Sequence, residues 1–357
     1  MFRTLFTLLA AVAVAVFLLP ANAYAAGADG FAYVVNGSDD TVSVIDVATG
    51  TVTDTVGVGS GASAVAVNAA GTLVYVTNTG DNTVSVIDAS DNSIADTIGV
   101  GDEPNGVVVN PAGTRVYVTN IFDDTVTVID TSDNSILDTI NSGNNPLDIA
   151  INPAGTRVYV ANGLDDNVAV INTANNTVLT TVAVGVFPSG VAVNPAGTRV
   201  YTTNGGSSSV SVIETSGNTV IDTIGVGVGP IGVAVNPAGT RAYVTNAFDD
   251  TVSVIDTTDN SIADTVGVGT TPARVAVSPD NVAVYVANIN SADVSVIDPA
   301  TDTVIDTIGV GIGPRDVAFG PAEPEADLDI NLTAATVFLQ PSRIDYTVTA
   351  TNDGPDA

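Results

Sequence analysis

The chain repeats one pattern at a fixed spacing of 42 residues. Residues 110–120 read NPAGTRVYVTN, and nearly the same eleven residues return at 152–162, 194–204 and 236–246. Tyrosine marks the period at Tyr33, Tyr75, Tyr117, Tyr159, Tyr201, Tyr243 and Tyr285. A catalytic motif is needed once, whereas a pattern that recurs every ~20–50 residues indicates a structural unit that stacks on copies of itself. The sequence therefore predicts seven copies of one small unit.

Each copy contains four short apolar runs separated by turn residues. In residues 106–140 the runs are GVVVN, RVYVTN, TVTVID and SILDTI, and PAGT, IFDD and TSDN separate them. Runs of this length, rich in β-branched residues and bounded by Pro, Gly, Asn and Asp, are typical of β-strands. Four strands in a unit of ~40–45 residues are typical of a propeller blade. We therefore expect an all-β, seven-bladed β-propeller with four-stranded blades; a β-solenoid with two coils per unit is the alternative.

The phase of the repeat predicts how the ring closes. The first copy begins at Phe31 with the YVVN run, and no GVAVN-type run precedes it. The last copy is followed by an extra run, DVAFG, at 316–320. We expect this run to complete the first blade in a one-plus-three closure, which hides two strand edges that an open ring would expose.

The charge and the missing residue types exclude several functions. The chain has 8 basic residues, all Arg, against 39 acidic ones, for a net charge of −31. Such a charge repels nucleic acid and anionic lipid, and is compatible with a solvated acidic surface, cation binding or salty surroundings. The chain has no Cys and no His, which removes most zinc, copper and haem ligand sets and every nucleophile–His pair. We predict no catalytic residues and no cofactor, with calcium left open.

The N-terminus is typical of a secretory signal peptide. Residues 1–25 have Arg3, an apolar run over 5–19, Pro20 and small residues that suit cleavage. An uncleaved membrane anchor is the alternative, although the run is slightly short for a span. No other stretch approaches a membrane-spanning length. The mature chain is therefore expected to be secreted or at the cell surface.

The repeat resembles a known family. YVTN at 75–78, 117–120 and 243–246, TVSVID at 41–46, 83–88 and 251–256, and GVAVNP at 190–195 and 232–237 are similar to the YVTN-family β-propeller repeat over residues 31–321. That family occurs in surface-layer and other exported proteins. The resemblance implies that the GVAVN-type strand lines the central channel and the SILDTI-type strand is outermost. Ala62 replaces the Pro that other copies have, and residues 205–209 read GGSSS in place of an acidic loop.

The C-terminal residues do not follow the repeat. PAEPEAD at 321–327 predicts a short stiff linker, so that the linker proper spans 322–327. Residues 328–357, which end in TNDGPDA, resemble the first half of an Ig-like repeat of bacterial cell-surface proteins. We therefore expect a partial, truncated Ig-like β-sandwich after the propeller.

Acidic residues recur between the second and third strands, all expected on one face. Such a ring could bind Ca²⁺ through oxygen ligands, but Asp also closes turns with its own side chain, and no loop has the spaced calcium-loop pattern. The residues of this candidate acidic face are Asp39, Asp40, Asp81, Asp123, Asp124, Asp165, Asp166, Asp249, Asp250 and Asp293.

Two sets of charged residues lie elsewhere. Nonrepeating ones near the expected channel mouth are candidate ligand contacts, with ordinary drift between repeats as the alternative: Arg274, Arg315, Asp148, Asp316 and Glu103. A loop at 121–124 places residue 115 opposite 130, so the repeated Arg would form weak cross-strand pairs, Arg115–Asp130, Arg199–Glu214 and Arg241–Asp256, with Arg157 opposite Asn172.

These features predict an exported surface platform for structure, adhesion or binding, without catalysis. Other surface proteins or glycans are the expected partners, nucleic acid is not, and the mature chain has no membrane span. The alternative is an exported ligand-binding propeller or propeller enzyme, of the lactonase or quinone-dependent dehydrogenase type. The missing His, Cys and Trp weaken the enzymatic reading.

Overall fold

The computed structural model describes residues 30–321, 328–331 and 349–352. Within residues 30–321, 28 strands form seven four-stranded antiparallel sheets. The seven sheets follow one another around a central channel, because each innermost strand contacts the innermost strands of both neighbouring sheets. The expected seven-bladed propeller with four-stranded blades is confirmed.

We name the strands of each blade A to D from the channel outwards. The A strands are β4 (Ala62–Val67), β8 (Pro104–Val109), β12 (Pro146–Ile151), β16 (Pro188–Val193), β20 (Pro230–Val235), β24 (Pro272–Val277) and β28 (Pro314–Phe319). The B strands are β1 (Phe31–Asn36), β5 (Leu73–Asn78), β9 (Arg115–Asn120), β13 (Arg157–Asn162), β17 (Arg199–Asn204), β21 (Arg241–Asn246) and β25 (Val284–Asn288). The C strands are β2 (Thr41–Asp46), β6 (Thr83–Asp88), β10 (Thr125–Asp130), β14 (Asn167–Asn172), β18 (Ser209–Glu214), β22 (Thr251–Asp256) and β26 (Asp293–Asp298). The D strands are β3 (Thr51–Gly57), β7 (Ser93–Gly99), β11 (Ile136–Asn141), β15 (Thr177–Ala183), β19 (Thr219–Gly225), β23 (Ser261–Gly267) and β27 (Thr303–Gly309).

The ring closes as the repeat phase predicts. Blade 1 has the strand order β28-β1-β2-β3, so the last repeat strand joins the first three. Phe319 pairs with Ala32 and Val317 with Val34, and the Gly320 amide donates to the Phe31 carbonyl at 2.8 Å. Blades 2 to 7 then run in chain order from β4–β7 to β24–β27. The closure pairs the inner edge of β1 with the outer edge of β28, so neither of these two edges is exposed.

The core lies between the blades. The B and C strands are buried over almost their whole length, because both faces of each sheet pack against a neighbouring blade. The seven repeated tyrosines are the largest side chains of these contacts and are at most 2% exposed. The D strands are largely exposed, and each buries one apolar residue near its end, such as Val56 or Ile98. The alternating Val, Ile and Thr of the repeat thus serve contacts between blades.

The two faces of the disc carry different connections. We call the face with the loops between strands B and C, and with the links from strand D to the next strand A, the upper face. The turns between A and B and between C and D form the lower face. Both ends of the propeller lie on the lower face: the Gly30 carbonyl accepts the Val47 amide at the start of a C–D turn. A Cβ built on Gly71, in an A–B turn, would lie 2.7 Å from the Pro321 ring.

The strand register places the repeated arginines opposite the predicted residues, but three of their side chains make other contacts. Arg115 lies opposite Asp130, Arg199 opposite Glu214 and Arg241 opposite Asp256. The guanidinium groups instead reach the next blade. Arg115 donates to the Thr173 carbonyl at 2.8 Å, Arg199 to the Thr257 carbonyl at 2.7 Å, and Arg241 forms an ion pair with Asp302. The cross-strand ion pairs are therefore wrong for these three, because the long side chain spans the gap between blades.

Arg157 is the exception among these residues. It lies opposite Asn172, and its guanidinium donates to the Asn172 side-chain oxygen at 3.3 Å. This contact stays within the blade, as the register predicted.

Several predicted segments lie outside the described residues. These are the signal peptide at 1–25, the linker at 322–327 and most of the Ig-like segment. In that segment, β29 (Leu328–Asn331) pairs antiparallel with β30 (Thr349–Asn352). The described residues contain no helix of sufficient length and apolarity to traverse a bilayer.

Candidate functional site

Three charged residues meet in the central channel at one level of the ring. Asp148, Arg274 and Asp316 each occupy the third position of an A strand, in blades 4, 7 and 1. The same position in the other blades holds a small residue: Ala64, Gly106, Gly190 and Gly232. A Cβ built on Gly232 would lie 2.8 Å from the Cα of Arg274. The A strands therefore approach closely here, and this level has room for few long side chains.

An ion pair spans the channel. An Arg274 guanidinium nitrogen lies 2.5 Å from Asp148 Oδ1, and the two side chains are only 18% and 11% exposed. The second oxygen of Asp148 accepts the Val191 amide of blade 5 at 2.9 Å. Blades 4, 5 and 7 are thus joined through two side chains. We call Asp148, Arg274 and Asp316 the channel triad.

Asp316 links β28, the strand that closes the ring, to blade 2. Its Oδ2 accepts the Val65 amide of blade 2 at 3.0 Å, and its Oδ1 accepts the Val317 amide at 2.9 Å. Burial raises the pKa of Asp316 to about 6, although the Arg274 charge and the two amides oppose this shift. For Arg274, burial lowers the pKa, but the Asp148 and Asp316 carboxylates outweigh it and leave the pKa raised. At neutral pH one guanidinium thus interacts with two carboxylates, so the channel triad carries one negative charge in excess.

The raised pKa of Asp316 predicts that the free energy of unfolding depends on pH. Between its unfolded value near 3.8 and about 6, the folded state binds more protons than the unfolded state, so stability is greatest at the acid end and falls as pH rises. The two values correspond to a loss of about 2 kcal/mol between pH 4 and pH 7.5. Asp316→Asn keeps an oxygen for the Val65 amide and should remove this part of the loss, measured as the difference in unfolding free energy between the two pH values. An unchanged difference would mean that Asp316 is already ionised at pH 4.

The other two candidate ligand contacts lie at the upper rim, in separate blades. Arg315, the second residue of β28, is exposed, and a Cβ built on Gly37 would lie 2.6 Å from its Cδ. Glu103 precedes β8 with a φ of 52°, and its amide donates to Asn82 Oδ1 at 3.0 Å. The five candidates therefore divide into the channel triad and two separate rim residues.

The acidic loops hold the D–A links in place. The first Asp of each B–C loop accepts the amide of the link that leads into its own blade, as Asp123 does from Asp102 at 2.8 Å. Four more loops do the same, with the pairs Asp39–Ile312, Asp81–Ser60, Asp165–Asn144 and Asp249–Val228. Ser207 and Ser291 take this place in blades 5 and 7.

The second acidic residue of a loop reaches the following blade. Asp124 accepts the Asn145 amide at 2.9 Å, and the other pairs of this kind are Asp40–Gly61, Asp166–Phe187 and Asp250–Thr271. These four Asp residues have φ between 51° and 59°, a conformation that Asp tolerates better than most residues. Asp293 differs, since it begins β26 and accepts the Asn288 side-chain amide at 2.7 Å. In the part of the chain that the structure describes, no three acidic side chains gather as a metal site requires.

Sequence reasoning missed an apolar feature of the upper face. Large apolar side chains are exposed there, and apart from Ile312 in the link into blade 1 they lie on four consecutive blades, 3 to 6. We call the six on these blades the apolar arc: Phe122, Leu164, Val186, Phe187, Val228 and Phe248. Phe122, Leu164 and Phe248 are 64%, 69% and 78% exposed. These three residues share a position, the second residue of the B–C loop. That position is Phe or Leu in blades 3, 4 and 6, and Ser, Gly or Asn in the other blades.

The arc is held by backbone pairing. The Phe122 amide donates to the Asp102 carbonyl, and the Phe248 amide donates to the Val228 carbonyl at 3.2 Å. The Gly206 amide donates to the Val186 carbonyl at 3.0 Å in the same way. The apolar side chains thus stand on loops that are bonded to the links, rather than on free loop tips.

The fold and the channel triad define a closed seven-bladed β-propeller whose channel is crossed by an ion pair. A family model described as a YNCE-like beta-propeller matches residues 10–152 and 231–339, together more than two thirds of the chain. The chain belongs to this YNCE-like β-propeller family, which agrees with the propeller part of the resemblance. The sequence matches no curated protein.

Two solved structures show the same fold. Hydrazine synthase of Kuenenia stuttgartiensis is 23% identical, with a TM-score of 0.70 over 77% of this chain and 94% of that one. A functionally unknown protein from Desulfotomaculum acetoxidans is 15% identical, with a TM-score of 0.74 over 82% of this chain and 100% of that one. At these identities the likeness extends to the fold alone.

Proposed function

We propose that this protein is an exported, surface-associated platform for binding or adhesion, with no catalytic activity of its own. The observation that carries the proposal is the position of the chain ends. Gly30 and Pro321 both lie on the lower face, while the exposed apolar arc lies on the upper face. Segments that precede or follow the propeller therefore leave from the side opposite to the surface with the features of a binding site.

The sequence supports the same role. The secretory features of residues 1–25 favour export, and the resemblances to YVTN-family surface-layer proteins and to Ig-like surface repeats favour attachment to a cell. In this proposal, the Ig-like segment at 328–357 begins a stalk, and the partners are other surface proteins or glycans.

Cysteine labelling of intact cells tests both surface location and orientation. The chain has no Cys, so single substitutions give unique labelling sites. Ser38→Cys lies in an exposed upper-face loop, and Ala70→Cys lies in an exposed lower-face turn. In cells that express the full chain, we expect a membrane-impermeant maleimide to label Ser38→Cys readily and Ala70→Cys more slowly, because attached segments cover the lower face.

The labelling outcomes separate location from orientation. Labelling of both variants only after lysis would contradict the surface location. Equally fast labelling of both on intact cells would keep the location and contradict the orientation. Purified protein, in which both sites should react at similar rates, is the control for intrinsic reactivity.

The catalytic alternative has one observation in its favour, the partly buried Asp316 carboxyl, whose pKa is raised to about 6. A group that titrates there suits general acid–base catalysis. Both of its oxygens already accept backbone amides, which favours a structural role. Turnover by purified protein on a panel of lactones and alcohols, lost in Asp316→Asn, would establish the alternative, and we expect none.

A further inference from the structure

We propose that the apolar arc and the acidic loops beside it form a docking surface for a polypeptide segment that carries both basic and apolar residues. The inference rests on the platform role and names the chemistry of its partner. It combines three features of blades 3 to 6: apolar exposure, charge and rigid support.

Phe rings of the arc lie close over glycines of the upper face, in one case across a blade boundary. A Cβ built on Gly163, in the loop of blade 4, would lie 3.4 Å from the Phe187 ring and 3.0 Å from Leu147. A Cβ built on Gly229 would lie 2.6 Å from the Phe248 ring. Phe187 and Phe248 therefore extend over glycines at the links and loops, where a larger residue would displace them. Exposed apolar groups that follow one another on consecutive blades of one face mark interaction sites more often than scattered ones do.

Negative charge accompanies the arc residue by residue. Phe122, Leu164 and Phe248 are each followed directly by two Asp residues, at 123–124, 165–166 and 249–250. The first Asp of each pair is exposed, and its hydrogen bond to a link amide leaves the carboxylate charge in place. The B–C loops and D–A links of the described upper face contain no Lys or Arg. A segment with alternating apolar and basic side chains would match this alternation of apolar and acidic groups.

The charge argues against other occupants. A second copy docked through the same face would bring Asp123, Asp165 and Asp249 against like charges, and the whole chain carries −31, which opposes association. Anionic lipid and nucleic acid are repelled for the same reason. A basic, apolar polypeptide is attracted, and its apolar side chains supply the short-range contacts that fix its position.

A peptide-binding experiment with the purified full chain tests the proposal. The probe is a fluorescent synthetic peptide in which Arg alternates with Leu, and the comparison peptide alternates Arg with Ser at the same length and charge. By fluorescence anisotropy we expect the Arg–Leu peptide to bind about tenfold more tightly. In Phe122→Ser/Phe248→Ser, affinity for that peptide should fall about tenfold, as for residues that dominate an interface.

Two further variants distinguish the contribution of the arc from those of other exposed apolar residues and of the acidic charge. Ile136→Ser/Leu179→Ser removes apolar side chains that are 44% and 47% exposed on outer strands, and it should change affinity less than twofold. Asp123→Asn/Asp249→Asn retains an oxygen for each link amide and should weaken the salt dependence of binding.

The outcomes decide the proposal independently of the platform role. Equal affinity for both peptides, or no effect of Phe122→Ser/Phe248→Ser, would overturn it and leave only attraction to an acidic surface. Sedimentation that shows a dimer dissolved by Phe122→Ser/Phe248→Ser would make a second copy the occupant and would also overturn it. Failure of the platform role would appear in the labelling of intact cells, not in this binding assay.

Discussion

Ending the chain after Gly313 is expected to abolish cooperative unfolding of the propeller. This change removes β28, which pairs with β1 and supplies Val317 to the core between blades 7 and 1. It also removes Phe319, whose ring lies edge-on to the Tyr285 ring with centroids 4.8 Å apart. The inner edge of β1 and the apolar side of blade 7 would then be exposed, which favours aggregation. Thermal and urea unfolding, followed by circular dichroism and light scattering, measure the effect.

A chain that ends after Pro321 is the matched control. It lacks residues 322–357 but keeps β28, and we expect its transition to match that of the full chain. Addition of a synthetic peptide of residues 314–321 should restore the transition of the shorter chain in a concentration-dependent way. An unchanged melt without β28 would contradict the closure as a requirement for stability.

Arg274→Met is expected to destabilise the protein by about 3–5 kcal/mol at pH 7, the usual cost of removing one partner from a buried ion pair. The substitution leaves the carboxylates of Asp148 and Asp316 facing each other in the channel without a cation. The loss should shrink towards pH 4, because the Asp316 carboxyl, whose pKa is about 6, takes up a proton. Urea unfolding at both pH values measures it.

Two further variants make the Arg274 experiment decisive. Arg157→Met removes a guanidinium that donates to the Thr156 carbonyl and the Asn172 side chain of its own blade, and it should cost less than about 1 kcal/mol. Adding Asp148→Asn to Arg274→Met should recover part of the stability, because one of the two uncompensated charges is removed. A loss at Arg274 no larger than at Arg157 would show that the channel pair contributes nothing net.

Most of the fold follows from the repeat alone. The landmarks that begin with Tyr33 fix the number of units, and the odd strand at 316–320 fixes the closure that β28 makes with β1. The register of Arg115 against Asp130 follows from loop length, because one turn sets the pairing of a whole hairpin. These features are local, and each copy of the unit repeats the same information.

Contacts between blades are harder to infer from one unit. The register places Arg241 opposite Asp256, but the distance to the next blade decides that its guanidinium pairs with Asp302. The channel triad carried a readable signal, since three copies replace Gly or Ala by charges of opposite sign at one position. The apolar arc required knowledge of exposure, because Phe122 and Phe248 could equally have been buried loop anchors.

The closure also determines how the propeller responds to mechanical load. Gly30 and Pro321 flank the same end of the antiparallel pair β1–β28. Tension applied between the two flanking segments would therefore peel this pair open one hydrogen bond at a time, which requires less force than shearing all of its bonds together. If only one of the flanking segments is pulled while a partner holds the upper face, the tension would spread over the blades and leave the β1–β28 pair intact.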